Sequence, residues 1–355
     1  MTRYSLLCTA ENDSEVLSTL SETFDVTCKG FALDLLPQSR YSAEELEAEL
    51  AGYDVYLCGY DKATDEALSS SPDLKLILSV RDGPEENIDI DACTKLGIPV
   101  LACSGRCERS VPEYLVAQLL LMAKPIIRDA NTVRAEGWTR ENDLALRRLC
   151  EGSTELAGKT IGIVGLGRNG RGLAKRLQGF EVNLIAYDPY ISPESVVELD
   201  ISLVDLNELM KRSDYVVLMA RVSPETRGMI SRELLSLMKD GACLVNAARA
   251  ALVDYQALYD EVASGRLRAA LDVFEAEPLG EGSPWLGISD DRLLITSHLA
   301  GLSVERITYQ TKYLVNAIER FMRGEMQPSE FRNPAVVDSP TFAARGGALW
   351  GALGR

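Results

Sequence analysis

The chain has 355 residues, a formal net charge of −16 and a single histidine, His298. With 46% apolar and 25% charged residues it reads as a folded chain of about two domains, and its acidity argues against non-specific binding to nucleic acid or to an anionic membrane. One imidazole excludes zinc and iron sites that draw on several, so no metal site is expected.

Short β-branched or apolar runs alternate with helical patterns along nearly the whole chain, which predicts parallel α/β architecture. Strands are expected at 5–8, 25–28, 54–58, 74–79 and 98–102, with a helix at 42–50. The apolar stretch 111–124 predicts a buried helix that closes this first block. Residues 129–154 read as charged and irregular. A second series of six strands follows at 160–164, 183–188, 214–220, 242–248, 269–274 and 292–297. A long helix is expected over 302–323, returning to the first block, and then a Gly/Ala-rich tail that is either disordered or packed on a neighbouring subunit through Trp350.

The eight cysteines (8, 28, 58, 93, 103, 107, 150 and 243) are scattered, and MTRYSLLCTAEND holds no apolar stretch of the kind a secretion signal needs. Reduced thiols and a cytoplasmic location are therefore expected. No apolar run approaches the ~18 residues of a membrane helix.

Gly165, Gly167 and Gly170 form G-x-G-x-x-G directly between a predicted strand and a predicted helix. The first glycine permits the tight turn, the second lets backbone approach a pyrophosphate, and the third allows close helix packing. The helix N-terminus adds N–H groups and a positive dipole end. Asp188 ends the next strand, 21 residues after Gly167, where a carboxylate can accept hydrogen bonds from the adenosine ribose. It would repel the 2′-phosphate of NADP, and DPYISP carries no arginine after it, so the expected cofactor is NAD.

Together with this turn, the segments SPETRGMI, LVNAARAALVD, AALDVFEAEPL and TSHLAG, in that order, resemble the D-isomer-specific 2-hydroxyacid dehydrogenase family over about residues 50–335. The resemblance implies two Rossmann-like or flavodoxin-like domains with parallel sheets and a cleft between them. Residues 1–123 plus 300–340 would form a discontinuous substrate domain, 124–299 the NAD-binding Rossmann domain and 341–355 a C-terminal tail. It implies an NAD-dependent oxidoreductase acting on a small D-2-hydroxy or 2-oxo acid, and a homodimer.

By the same resemblance, Arg249 holds the substrate carboxylate and polarises the carbonyl, Glu277 pairs with the histidine, and His298 carries the proton. Arg168 and Asn169 match the pyrophosphate turn, Ala220, Ala247 and Gly301 the cofactor lining, and Asp272 a contact with the nicotinamide amide. The chemistry accounts for these types. Hydride delivery to a 2-oxo acid leaves charge on the carbonyl oxygen, so an acid must supply a proton while a guanidinium stabilises the charge. Imidazole titrates near neutrality, at about 6.5 in peptides, and arginine binds carboxylates through two parallel hydrogen bonds.

The chain also departs from the family. Its substrate loop reads SVRDGPEENID, in which Gly83 and Asn87 align, while Pro84 removes an N–H donor and Glu85 and Glu86 add carboxylates. Either Arg81 contacts substrate or the loop is merely solvated. Arg106 and Arg109 either bind a phosphate on the substrate or balance nearby acids. Met219 and Arg221 replace a histidine and a proline, and Ala250 and Ala251 a pair of glycines. Only about 30 residues follow Phe321, so an appended regulatory domain is not expected. An NAD(H)-sensing binding protein, like the family's transcriptional corepressors, is the alternative on the same fold.

Overall fold

The computed structural model describes residues 3–30, 41–148 and 152–354, so Cys150 lies outside the described residues. Twelve short strands form in it, most of them rich in apolar residues, as strands covered on both faces require. The first five are β1 (Tyr4–Cys8), β2 (Phe24–Cys28), β3 (Val55–Cys58), β4 (Leu76–Ser79) and β5 (Val100–Ala102). They pair in the order β2-β1-β3-β4-β5, every pair parallel. The other seven are β6 (Thr160–Val164), β7 (Asn183–Tyr187), β8 (Ile201–Leu203), β9 (Tyr215–Leu218), β10 (Cys243–Asn246), β11 (Arg268–Leu271) and β12 (Leu293–Ile295). Their order is β12-β11-β10-β9-β6-β7-β8, again all parallel.

The second sheet therefore has one strand more than the six expected. β8 is a three-residue edge strand, too short and too little buried to show a period in the sequence. Residues 129–154 are also more regular than their charge suggested, with helices at Ile126–Glu136 and Asp143–Arg148.

The chain divides into two compact units, Met1–Arg106 with Ser303–Arg355, and Cys107–Leu302. The boundary thus precedes the apolar helix Ser110–Ala123, which the sequence reading placed at the end of the first block. That helix packs on Arg168–Leu177 so closely that a Cβ on Gly172 would come within 3.0 Å of Pro112 Cγ.

In the first unit, the helix Val304–Met322 starts at a Ser303 side-chain cap. Its Leu314, Ile318 and Phe321 are fully buried against Leu6, Leu57 and Leu78 of the sheet. Each such side chain contributes about 1.5–3 kcal/mol through burial, which explains why this distant segment joins the first sheet.

The tail is neither loose nor directed outward. Trp350 packs within its own unit, its ring 6.3 Å from Phe321, 5.7 Å from Phe331 and 5.9 Å from Phe342, beside the fully buried Leu349. The separate tail expected at 341–355 is part of the first unit's core, because its Phe342, Leu349 and Trp350 recur at a spacing that Gly/Ala enrichment masks. Among the described residues, no single helix is long and apolar enough to cross a membrane.

Candidate active site

In the second unit the glycine turn joins β6 to the helix Arg168–Leu177. Gly165 has φ +96°, a region that favours glycine, and a Cβ there would come within 2.6 Å of the Ala220 nitrogen. A Cβ on Gly170 would come within 2.3 Å of the Gly165 carbonyl oxygen, so the helix is seated directly on the turn. Gly167 faces open space, which leaves backbone exposed where an anion could approach the helix N-terminus bearing Arg168 and Asn169. Asp188 follows β7, and its carboxylate accepts the N–H of Leu166 at 2.7 Å and of Tyr190 at 3.0 Å, which ties the acid to the turn. These residues fit a dinucleotide with its pyrophosphate at the turn and its ribose near Asp188. Ala247 is buried at the end of β10, and Gly301 accepts a contact from Cys107 Sγ at 3.7 Å.

His298 follows β12 with φ +57°, a strained conformation for a residue with a side chain. Its neighbours hold it there. The carboxylate of the fully buried Asp272 accepts the N–H of Leu299 and of Ala300, each at 2.9 Å, together with the hydroxyls of Thr296 at 2.7 Å and Tyr114 at 3.2 Å. Three of these donors meet Oδ1 and one meets Oδ2. The partners among the described residues come from the protein's own loop and from Tyr114, so Asp272 braces the turn that carries the histidine. Burial, followed by the Asp272 charge, pushes the Tyr114 phenol up to about 12, so it stays a hydrogen-bond donor.

The imidazole Nδ1 of His298 lies 2.7 Å from Glu277 Oε2, and both side chains are partly exposed. The other oxygen, Glu277 Oε1, accepts the Phe274 N–H at 2.8 Å, so the acid is anchored to its own loop. Arg249 follows β10 in extended backbone and is exposed. The turn carrying it is pinned by the buried Asn246, which accepts the Ala248 N–H and donates to the Arg249 carbonyl, both at 3.0 Å. Ala250 and Ala251 lie in the short turn Ala250–Leu252, where negative φ accommodates a Cβ in place of the usual glycines.

Arg81 and Gly83 belong to the first unit, in the loop after β4. Pro84 opens a single 3₁₀ turn, Gly83 precedes it, and Arg81 forms an ion pair with Glu86. Arg109 is an exposed residue at the start of the Ser110–Ala123 helix in the second unit, whereas Arg106 is a half-buried residue of the first.

Asn246, Thr296 and Tyr114 position site residues that the sequence reading did not single out. A polar residue at the last position of an apolar strand, as in LVNAA, is the one signal that could have identified Asn246.

Residues 116–300 match the family D-isomer specific 2-hydroxyacid dehydrogenase, NAD binding domain. The chain is 34% identical over 296 residues to a D-3-phosphoglycerate dehydrogenase of Methanocaldococcus jannaschii, which covers 82% of this chain and 54% of that relative. It is 36% identical over 245 residues to a hydroxypyruvate reductase of Thermotoga maritima, 69% of this chain and 76% of the relative. The chain spans about half the length of the phosphoglycerate dehydrogenases it matches. Among solved structures, D-lactate dehydrogenase from Aquifex aeolicus complexed with NAD and lactic acid superposes with a TM-score of 0.72 at 26% identity, covering 93% of this chain and 99% of that one.

Proposed function

Because the chain belongs to the D-isomer specific 2-hydroxyacid dehydrogenase family, we propose that it is an NAD-dependent dehydrogenase of D-2-hydroxy acids that works equally as a 2-oxoacid reductase. The observation that carries this reading is the 2.7 Å contact between His298 Nδ1 and Glu277 Oε2. With Nδ1 engaged by the acid, Nε2 is the nitrogen that exchanges a proton with substrate. The carboxylate fixes the orientation of the ring.

In the reducing direction, protonated His298 donates to the carbonyl oxygen as charge develops there. In the oxidising direction the neutral ring takes the alcohol proton. Positioned acid–base catalysis of this kind contributes about 10²–10⁴-fold. Arg249 clamps the substrate carboxylate and stabilises the developing oxyanion, and Asn246 keeps its backbone in place. Gly165, Gly167, Gly170 and Asp188 would hold NAD(H), which would accept or supply the hydride when bound. Arg168, Asn169, Ala220, Ala247 and Gly301 complete that set, and Arg81 and Gly83 are proposed as substrate contacts.

The partner this reading implies is a second copy of the chain. The helices Ile126–Glu136 and Asp143–Arg148 and the loop joining them leave Ile126, Ile127, Trp138 and Leu144 exposed, an apolar group of the kind that subunit contacts cover. The seven described cysteines are free thiols, in keeping with a cytoplasmic setting. The test is NADH oxidation, followed at the nicotinamide absorbance band, with glyoxylate, hydroxypyruvate, pyruvate and phosphohydroxypyruvate. Turnover of at least one is expected; NADH binding with no turnover of any would contradict the reading.

A further inference from the structure

Cys8 closes β1 and Cys28 closes β2, and the two are Cα partners in the parallel ladder, so their side chains leave the same face of the first sheet. Neighbouring strands lie about 4.8 Å apart, within the roughly 4.4–6.8 Å that separates Cα atoms joined by a disulfide. The strand ends are locked in that register. The Cys8 carbonyl accepts the N–H of Lys29 at 2.7 Å and of Gly30 at 3.0 Å, and a Cβ on Gly30 would come within 2.3 Å of the Ala10 carbonyl oxygen. The sulfurs meet as well. The Cys8 thiol donates to Cys28 Sγ, and Asn12 Nδ2 lies 3.1 Å from Cys28 Sγ and 3.8 Å from Cys8 Sγ. Asn12 is buried and its Nδ2 also donates to the Ala10 carbonyl at 3.0 Å, which fixes it over the pair.

The two thiols are unlike. Cys28 is exposed on the edge strand of the sheet, whereas Cys8 is fully buried. The hydrogen bond from Cys8, joined by that from Asn12, outweighs burial and draws the Cys28 thiol down to about 6, while the same bond and burial push Cys8 up. Burial pushes the thiols of Cys58 and Cys243 up to about 12. Cys58 also points to the other face of the sheet, since its neighbour Leu57 is the residue of β3 that pairs with Cys8. An accessible sulfur that ionises readily, beside a buried protonated one, is the arrangement of an attacking and a resolving cysteine.

We propose that Cys8 and Cys28 form a peroxide-reactive dithiol, an oxidation site of the first unit that closes to a reversible disulfide. The Cys28 thiolate attacks one oxygen of hydrogen peroxide and the O–O bond breaks. Cys28 becomes a sulfenic acid, and the leaving hydroxide takes up the proton that Cys28 had released. The Cys8 sulfur then attacks the Cys28 sulfur, the S–S bond forms as the S–O bond breaks, and the second hydroxide leaves as water with the Cys8 proton. Two thiols and one peroxide thus give one disulfide and two waters, with two electrons passing from the sulfurs to the peroxide oxygens. A dithiol reductant reverses the bond by exchange, so in a reducing compartment it is transient. The site is independent of the dehydrogenase reading, because neither cysteine belongs to the residues proposed for cofactor or substrate.

The test treats the reduced full chain with a small excess of hydrogen peroxide and reads the thiols by alkylation and peptide mass spectrometry. The expected result is a Cys8–Cys28 linked peptide pair, formed with loss of two free thiols and undone by dithiothreitol. Cys28→Ser should slow thiol oxidation about tenfold or more, since the readily ionised sulfur is gone. Cys8→Ala should halt the reaction at the Cys28 sulfenic acid, which dimedone traps. Wild type in which both cysteines still alkylate fully after peroxide overturns the proposal without any variant. So does a Cys28 that links instead to another cysteine or to a second copy of the chain.

Discussion

The Asp272 carboxylate receives the backbone N–H of Leu299, the residue directly after His298, at 2.9 Å. A buried acid thus holds the strained backbone of the proposed proton carrier. Asp272→Asn would turn an amide N–H₂ toward donors that need an acceptor. Hydrogen bonds to a charged group contribute about 1.5–3 kcal/mol, so a loss of roughly that size is expected on thermal denaturation. The histidine loop would loosen, lowering kcat about tenfold with NADH affinity little changed. Unchanged melting together with weakened NADH binding would instead identify Asp272 as a nicotinamide contact.

Asp188 is the residue proposed to set the choice of dinucleotide. Asp188→Ser removes the charge that repels a 2′-phosphate, so the preference for NAD over NADP should fall by about tenfold or more. The substitution also strips acceptors from Leu166 and Tyr190, at a cost of about 1 kcal/mol each. Comparison of kcat/KM for NADH and NADPH checks the first effect and chemical denaturation the second.

Trp350 packs against the core of the first unit. Trp350→Ala leaves a void beside Phe321, Phe331 and Phe342 and should cost about 2–4 kcal/mol, read by urea titration. A tail that served only contact between subunits would instead leave the stability of the isolated chain unchanged.

Asp54 links stability to pH. Burial pushes its carboxyl up, but Lys75 at 2.5 Å and the Ser5 N–H at 2.8 Å outweigh burial and hold it below the ordinary carboxylate value. A group depressed in the folded state contributes stability above its unfolded value, near about pH 4, and loses it as pH falls through the folded value. Asp54→Asn should therefore lower Tm at neutral pH and flatten the fall in Tm below about pH 4. Parallel Tm profiles for the variant and wild type would contradict this.

The alternation of apolar strands and helical patterns announces both parallel sheets, since runs such as TIGIV and LKLILS are apolar for the simple reason that they are covered on both faces. β8 escaped because three residues at a sheet edge carry no period, and the tail because glycine and alanine dilute the spacing of its aromatic residues. In the site, motif order points to Glu277 and His298, and the structure brings their side chains together. What sequence does not contain is the convergence of separate segments. Cys8 and Cys28 meet only because β1 and β2 pair in register, and the anchoring of His298 depends on Tyr114, far away in the chain.

The account depends most on the proton carried by the only imidazole in the chain. His298→Gln keeps a planar polar side chain but cannot shuttle a proton, so reduction of the best oxoacid substrate, measured under saturating NADH, tests it directly. The predicted result is NADH affinity within a few-fold of wild type and kcat lower by about 10²–10⁴. A variant that binds NADH and retains most of its kcat would contradict the assignment of His298 as the acid–base group.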